Sequence, residues 1–379
     1  MRTINYNTLL LKSNLVGWLN NIANSEKNIA MAQSAREIAG AINANSAIPN
    51  KPFYNNFFTK YQFKVANEGG GIGLYSFVNN VQNGIGKVKA AGITQNVIPT
   101  PTPTPTPSYE SVTFGLLGDS GQAGLLTDTE NVANGIQQKS PDYILHLGDA
   151  NYGNASTVDD YFLNYWTSDY INNRMYLAFG NHDLDYDYGA TLLDNLPLVN
   201  AAIGSAKRSQ NLLCYDFIKG PIHFFVLNSG NTASGDTLNA AADPNIQLQK
   251  QLNEFSFKSV DSTMPWKILV VHKPPYTSES AHRLGVTQLR MNYKTLNIDV
   301  VLSAHSHDYE YIYNEPTHYF VQGLGGATKR CAVDPRTPGA VTDYCAQNGY
   351  TILEASSTQL VFKSYNTSGT IIDTRTITK

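Results

Sequence analysis

Charged residues of both signs are scarce. Lys and Arg number 27 and Asp and Glu 30 among 379 residues, 15% in all, for a formal charge of −3. A nucleic-acid binder normally shows a basic excess or patch, so none is expected here. No apolar run approaches the roughly eighteen residues a membrane span needs. Leu9, Leu10 and Leu11 are cut off at once by Lys12, Ser13 and Asn14, which leaves no recognisable secretory signal peptide near Met1. Cysteine is limited to Cys214, Cys331 and Cys345, too few for a disulfide framework. Cys331 and Cys345 stand at either end of one Pro/Gly-containing loop and either bridge or stay free, because sequence fixes no geometry. Cys214 lies in an apolar strand-like run and reads as a buried free thiol. Apolar residues are plentiful at 42%, with 23 Tyr and 15 Phe, so a sizeable core is available. At roughly 150 residues per domain the length suits two domains, or three.

The clearest boundary runs from Pro99 to Pro107, where Pro and Thr alternate strictly. Such a tract favours the extended polyproline conformation and resists packing, so residues 99–108 read as a spacer. Before it, Leu11, Leu15, Trp18, Leu19 and Ile22 recur at helical spacing, as do Met31, Ala35, Ile38 and Ile42. The spacing predicts one long or two shorter helices up to about Asn43, followed by an irregular Asn/Gly-rich stretch broken again at Gly69–Gly71. With no His and no Cys, residues 1–98 are not expected to do chemistry. They read as a small, mainly helical assembly or attachment module whose apolar stripes pack on themselves or on a partner copy.

From Tyr109 onward, short apolar strands alternate with helical stretches. Strands are predicted at Val112–Leu117, Tyr143–Leu147, Met175–Phe179, Ile222–Leu227, Ile268–Val271 and Val300–Leu302, and helices at Asp128–Gln138 and Asn245–Lys258. Three further strands close the chain: Tyr350–Ala355, Gln359–Ser364 and Ile371–Ile377, with a hairpin turn at Asn366–Gly369. The pattern fits a layered α/β sandwich over residues 109–379.

Chemistry-bearing residues stand at the strand ends. The ends read Gly118-Asp119-Ser120-Gly121, Gly148-Asp149-Ala150-Asn151-Tyr152, Gly180-Asn181-His182-Asp183, Val271-His272 and Ala304-His305-Ser306-His307. Loops after such strands converge on one cleft. Collected there, these oxygen and nitrogen donors, with no thiolate among them, suit iron, zinc or manganese. Asp119 and Asp149 would repel without a cation between them. His305 and His307 alternate along an extended segment and so point to different places, one for each of two ions. Two ions about 3.5–4 Å apart clamp a phosphate and lower the pKa of a bound water.

These five blocks resemble a purple acid phosphatase within the calcineurin-like metallophosphoesterases, whose order they follow from residue 112 to 310. Most metallophosphoesterases carry Asp-x-His in the first block; Gly121 occupies that His position here, and the resemblance implies Tyr152 as the compensating ligand. The resemblance implies a four-layer α/β/β/α sandwich closed by a C-terminal hairpin. It implies ferric iron held by Asp119, Asp149, Tyr152 and His307. A second ion, Fe(II), Zn or Mn, falls to Asp149, Asn181, His272 and His305. Asp149 bridges the two. Asn181 and His182 meet the phosphate, and His182, with His282, assists the leaving group. The implied activity is hydrolysis of phosphate monoesters by a metal-bound hydroxide, on a phosphorylated small molecule or other phosphoester. A phosphodiesterase or nucleotidase on the same scaffold is the alternative. So is a structural or adhesive component of a larger assembly, and a helical module on a Pro/Thr stalk suits a virion-associated or extracellular setting better than the cytoplasm.

Departures from the family pattern are Ala304, where Gly is usual, and Tyr311, where Arg is common. Taken singly, His272 would read as a core histidine, and Asp119 or Asp149 as a turn or cap residue; the joint pattern reverses this. His146, His223 and His318 fall outside the blocks and are read as structural. Asp183, Asp185 and Asp187 are read as a solvated acidic loop, and Lys273, Arg283 and Arg290 as cations able to meet a phosphate but not set apart from other surface charges.

Overall fold

The structure is a computed structural model. It describes residues 12–88 and 109–379, apart from 27–28, 45, 49–50, 52–53, 69–70, 79–80, 186, 188, 209–212, 231–250, 252–253, 257, 260–261, 284 and 315. The chain divides into two compact units, Met1–Thr106 and Pro107–Lys379. The Pro/Thr tract lies outside the described residues.

In the first unit, the two apolar stripes form two helices, α1 (Lys12–Ser25) and α2 (Ile29–Asn43). Leu15, Leu19 and Ile22 of α1 pack with Ala35, Ile38 and Ile42 of α2 in one buried cluster. The stretch read as irregular is ordered instead. It holds α3 (Tyr54–Tyr61) and an antiparallel sheet of β1 (Phe63–Glu68), β2 (Gly71–Val78) and β3 (Val81–Val88), in the order β1-β2-β3. Phe63, Val65 and Leu74 join the helical cluster from one face of that sheet. The alternation is carried by a few residues among Asn and Gly, too few to stand out as a strand pattern.

The second unit starts with β4 (Val112–Leu117), α4 (Leu126–Lys139), β5 (Tyr143–His146), α5 (Val158–Tyr161), β6 (Met175–Leu177), α6 (Asn181–Leu184), α7 (Ala190–Asn195) and α8 (Pro197–Arg208). Then follow β7 (Tyr215–Lys219), β8 (Ile222–Leu227), β9 (Trp266–Val271), β10 (Val300–Ser303), β11 (Tyr309–Asn314), β12 (Thr317–Gln322) and β13 (Ala340–Tyr344). The closing strands are β14 (Gly349–Ala355), β15 (Gln359–Asn366) and β16 (Ile371–Thr378). The helix expected over 245–258 lies largely outside the described residues, although 254–256 are helical.

These strands make two sheets, ordered β16-β15-β14-β4-β5-β6 and β13-β11-β12-β10-β9-β8-β7. β4, β5 and β6 run parallel, as do β8, β9, β10 and β12. Alternation along the strands packs the sheets face to face. Ile222, Phe224 and Val226 of β8 enter the core shared with β4, while Phe225 and Leu227 join a second cluster with Phe255, Leu289 and Tyr293. Phe114 meets Phe224 at 4.8 Å between ring centroids, and Phe320 meets Phe362 at 4.1 Å, each pair spanning the two sheets. Each such buried side chain contributes roughly 1.5–3 kcal/mol of transfer free energy. Val132, Ala133 and Ile136 of α4 cover the outer face of the smaller sheet, completing an α/β/β/α sandwich. At the chain's end Gly369 N–H donates to Asn366 O at 2.9 Å in the β15–β16 turn.

Cys331 and Cys345 are bridged, with Cα atoms 5.4 Å apart, and Cys214 is a buried free thiol just before β7.

Candidate metal centre

The parallel strands deliver their donors at one edge of both sheets. Asp119 follows β4, Asp149 and Tyr152 follow β5, and Asn181 opens the short helix after β6. From the other sheet, His272 follows β9, and His305 and His307 follow β10. Three of these residues take left-handed backbone conformations: Asp119 (φ 59°), Asp149 (φ 55°) and His305 (φ 67°). Such conformations cost of order 1–3 kcal/mol each for residues with a Cβ and persist only where neighbours enforce them. The enforcement is local. Asp119 Oδ2 accepts from His305 N–H at 2.7 Å, and Asp149 Oδ1 from His182 N–H at 2.8 Å.

Two donor groups result. In one, Tyr152 Oη lies 3.0 Å from Asp119 Oδ1 and 3.0 Å from His307 Nε2, and those two atoms are 3.4 Å apart. In the other, ligating atoms of Asp149, His272 and His305 all lie within 4.8 Å of one another, and all three side chains are buried. Asp149 Oδ2 is 3.2 Å from His272 Nε2. The second nitrogens of two histidines are held by backbone carbonyls: His272 Nδ1 by Leu147 O at 2.9 Å and His307 Nδ1 by Thr328 O at 2.7 Å. This leaves Nε2 of each as the donor turned to the cluster, the usual outer support of a ligating imidazole.

The cluster is built for cations. Asn181 Oδ1 is buried with no hydrogen-bond partner, an arrangement costly in an apo protein and satisfied by a metal ion, and His272 Nε2 has only the Asp149 carboxylate near it at 3.2 Å. Burial, reinforced by His272, pushes His305 well below the ordinary imidazole range and leaves it neutral, as a ligand must be. Burial opposes ionisation of Asp149, yet the His272 imidazole beside it holds the carboxyl below the usual range. Burial and the Asp119 charge push the Tyr152 phenol well above its ordinary value, so a phenolate there requires a neighbouring cation.

Above the cluster opens a cleft of about 600 Å³ lined by Asp149, Tyr152, Asn181, His182, His282 and His305, among others. The His182 ring lies 4.3 Å from Tyr152 and its Nδ1 3.2 Å from Asp185 Oδ2. His282 lies 4.0 Å from the His305 ring, and its Nδ1 is 2.6 Å from Glu279 Oε2. All nine site residues expected from the sequence are therefore brought together.

The calcineurin-like phosphoesterase family profile matches residues 112–309, more than half of the chain. The chain belongs to this family. Among its relatives, "Purple acid phosphatase 15" of Arabidopsis thaliana is 24% identical over 253 residues, covering 56% of this chain and 45% of that protein. "Purple acid phosphatase 1" of Ipomoea batatas is 27% identical over 220 residues, covering 52% and 42%. The chain thus spans less than half the length of these relatives. Among solved structures, the purple acid phosphatase PPD1 from yellow lupin seeds superposes with a TM-score of 0.56 at 17% identity, over 81% of this chain and 58% of that one. GAP50, the anchor in the inner membrane complex of Plasmodium, gives 0.54 at 15% identity, over 71% and 89%. These likenesses establish the calcineurin-like sandwich.

The departures from the family pattern have physical reasons. A Cβ at Gly121 (φ 62°) would stand 2.3 Å from Ala150 O, so the backbone leaves no room for a histidine there. The Ala304 methyl is accommodated because it sits against Gly118, where a Cβ would meet it at 2.3 Å. Tyr311 donates or accepts with His318 Nδ1 at 2.9 Å and carries Arg375 over its ring at 4.4 Å, in place of an ion pair.

Two sequence readings are corrected. The acidic run is solvated only in part: Asp185 is exposed, but Asp183 is buried and accepts from the N–H groups of Asp149, Ala150, Asn151 and Gly180 at 2.8–3.2 Å. Asp187 accepts from Thr191 N–H at 3.1 Å. Of the three candidate cations, Lys273 lines the cleft, whereas Arg283 and Arg290 bond to the carbonyls of Pro335 and Pro275. Sequence reasoning also missed Glu279, Thr328 and Arg330. The Gly-x-x-Asp spacing of a capping box was the available signal for Asp183; Thr328 acts through its backbone and offers none.

Proposed function

We propose that this protein is a dinuclear metal-dependent phosphomonoesterase of the purple acid phosphatase type. The observation that carries the reading is the buried, unpartnered Asn181 Oδ1 inside a cluster of oxygen and nitrogen groups, with His272 Nε2 turned into the same cluster 3.2 Å from Asp149 Oδ2. Asp119, Asp149, Tyr152 and His307 would hold ferric iron, and Asp149, Asn181, His272 and His305 would hold Fe(II), Zn or Mn. Bound there, the two cations supply charge for the phosphoryl oxygens and activate water. The protein's own groups do the rest. Asn181 and His182 orient the phosphoryl group at the cleft floor. His182, with His282 steadied through Nδ1 by Glu279 and 4.0 Å from the His305 ring, protonates the departing alcohol oxygen.

Hydrolysis of p-nitrophenyl phosphate, compared with bis(p-nitrophenyl) phosphate, tests the proposal. Preference for the monoester is expected. Preference for the diester would move the protein to the phosphodiesterase reading, and turnover of neither would favour a structural role for the domain.

For residues 1–98 the proposal is an attachment or self-association module on the Pro/Thr stalk. Its own buried cluster, separate from the phosphoesterase core, supports this. The Cys331–Cys345 bridge suits an oxidising, extracellular or assembly-associated setting. Sedimentation of the full chain at rising concentration is expected to reveal oligomers; a monomer throughout would contradict the module's role.

A further inference from the structure

The cleft falls in the range of sites that enclose a whole small molecule, roughly 300–1,000 Å³. Its charged lining is uneven. Beyond the proposed ligands, Lys273 and Arg330 line it as cations, and the further carboxylate, Asp185, faces His182 Nδ1 at 3.2 Å. Lys273 stands near His305 and Arg330 near His307, one cation on the flank of each donor group.

Arg330 is fixed in the wall by its neighbours. Its N–H donates to His307 O at 3.0 Å, and the Thr328 carbonyl two residues earlier holds His307 Nδ1. The next residue, Cys331, is bridged to Cys345. Among the described residues the Arg330 guanidinium makes no hydrogen bond or ion pair. Arg283 and Arg290, by contrast, spend donors on backbone carbonyls, and Arg290 also stacks on Tyr276 at 4.4 Å. A guanidinium presents a planar fork of donors that fits a carboxylate or phosphate. The two cations proposed above, set against Asp119, Asp149 and the Tyr152 phenolate, already supply the positive charge a phosphoryl dianion requires. Arg330 is additional to that balance.

We infer that Arg330, half-buried in the cleft wall, forms a second anion subsite. The substrate then carries another anionic group, a carboxylate or a second phosphate, besides the phosphoryl group that is hydrolysed. This rests on the phosphomonoesterase reading, and binding of unreactive probes separates the two. Calorimetric titration of the intact, metal-loaded chain with methylphosphonate, phosphonoacetate and methylenediphosphonate reads the subsite without turnover. At least one doubly anionic probe is expected to bind about 10- to 100-fold more tightly than methylphosphonate, and Arg330→Ala to remove that advantage. Arg330→Lys, which keeps the charge, is expected to retain part of it and guards against a folding defect. A gain for phosphonoacetate assigns a carboxylate; a gain for methylenediphosphonate assigns a phosphate. Equal loss for all three probes in Arg330→Ala would place Arg330 on the phosphoryl group itself and overturn the inference, as would no change. Failure of phenyl phosphate turnover by the wild type would count against the enzymatic reading and leave the binding ratios readable.

Discussion

The Tyr152 hydroxyl lies 3.0 Å from His307 Nε2, joining a loop of the six-stranded sheet to a loop of the seven-stranded one. On the proposed reading, this contact stands in for the histidine usual in the first block. Tyr152→Phe is expected to lose any visible tyrosinate–iron absorption and to lower metal affinity by more than the roughly 10–100-fold cost of losing an outer partner. Adding Gly121→His is not expected to restore either, because a Cβ at position 121 would press on Ala150 O. Recovery of metal affinity in the double variant, measured by titration, would show that the compensation has been misread.

The convergence of the proposed ligand blocks was legible in the sequence because each Gly-Asp or His group directly follows an apolar strand, and the strand end alone decides where it goes. The supports were less so. Asp183 belongs to the same block as Asn181, yet its four backbone donors come partly from the loop after β5, which only the folded chain brings near. Glu279 and His282 gave only an i, i+3 spacing in a segment without periodicity. The strands β11 and β12 escaped notice because both their faces are largely buried and polar Glu310, Thr317 and Gln322 interrupt the apolar run, β13 because its residues are half-buried or exposed, and β1 to β3 because Asn and Gly dilute the alternation. The disulfide stayed open until the Cα positions were known.

Replacing one Asp183 oxygen by an amide nitrogen tests the brace beneath Asp149. Burial and the Asp149 charge push this carboxyl up to about 7, so its part lies in accepting four N–H bonds rather than in its charge; leaving a buried donor without an acceptor costs on the order of 1–3 kcal/mol. Asp183→Asn is expected to lower stability by about 3 kcal/mol in urea denaturation and to weaken metal binding. Unchanged stability with unchanged metal affinity would remove Asp183 from the account.

The Cys331–Cys345 bridge holds the arm that carries His282. Ser280 N–H donates to Cys331 O at 3.2 Å, Val333 N–H to Ser278 O at 2.8 Å, and Glu279 pairs with Ala332. Reduction, or Cys331→Ala with Cys345→Ala, is expected to cost about 3 kcal/mol of stability for a loop of this length. It should lower kcat on alkyl phosphates while leaving metal content unchanged. Loss of metal on reduction would mean that the bridge supports the ligands rather than the arm.

Acid sensitivity follows from Glu279. Burial opposes its ionisation, but the hydrogen bond to His282 dominates and holds the carboxyl at about 2 instead of 4.5. The folded chain therefore binds fewer protons here than the unfolded one between those values. The stabilisation is present above pH 4.5 and is lost as pH falls through about 2. Glu279→Gln is expected to be less stable than wild type at pH 7 and to lose stability less steeply from pH 4.5 downward. Parallel urea midpoints for both proteins across that window would contradict the assignment.

Asp149 carries the central claim, since it lies with His272 and His305 in one donor group and is the proposed bridge to the other. The most direct test is the metal content of the purified chain and of Asp149→Asn, measured with p-nitrophenyl phosphate hydrolysis on the same samples. The account predicts two metal ions per wild-type chain, loss of metal in the variant, and activity lost with it. Full hydrolysis by Asp149→Asn, or by a wild-type chain stripped of metal, would contradict it.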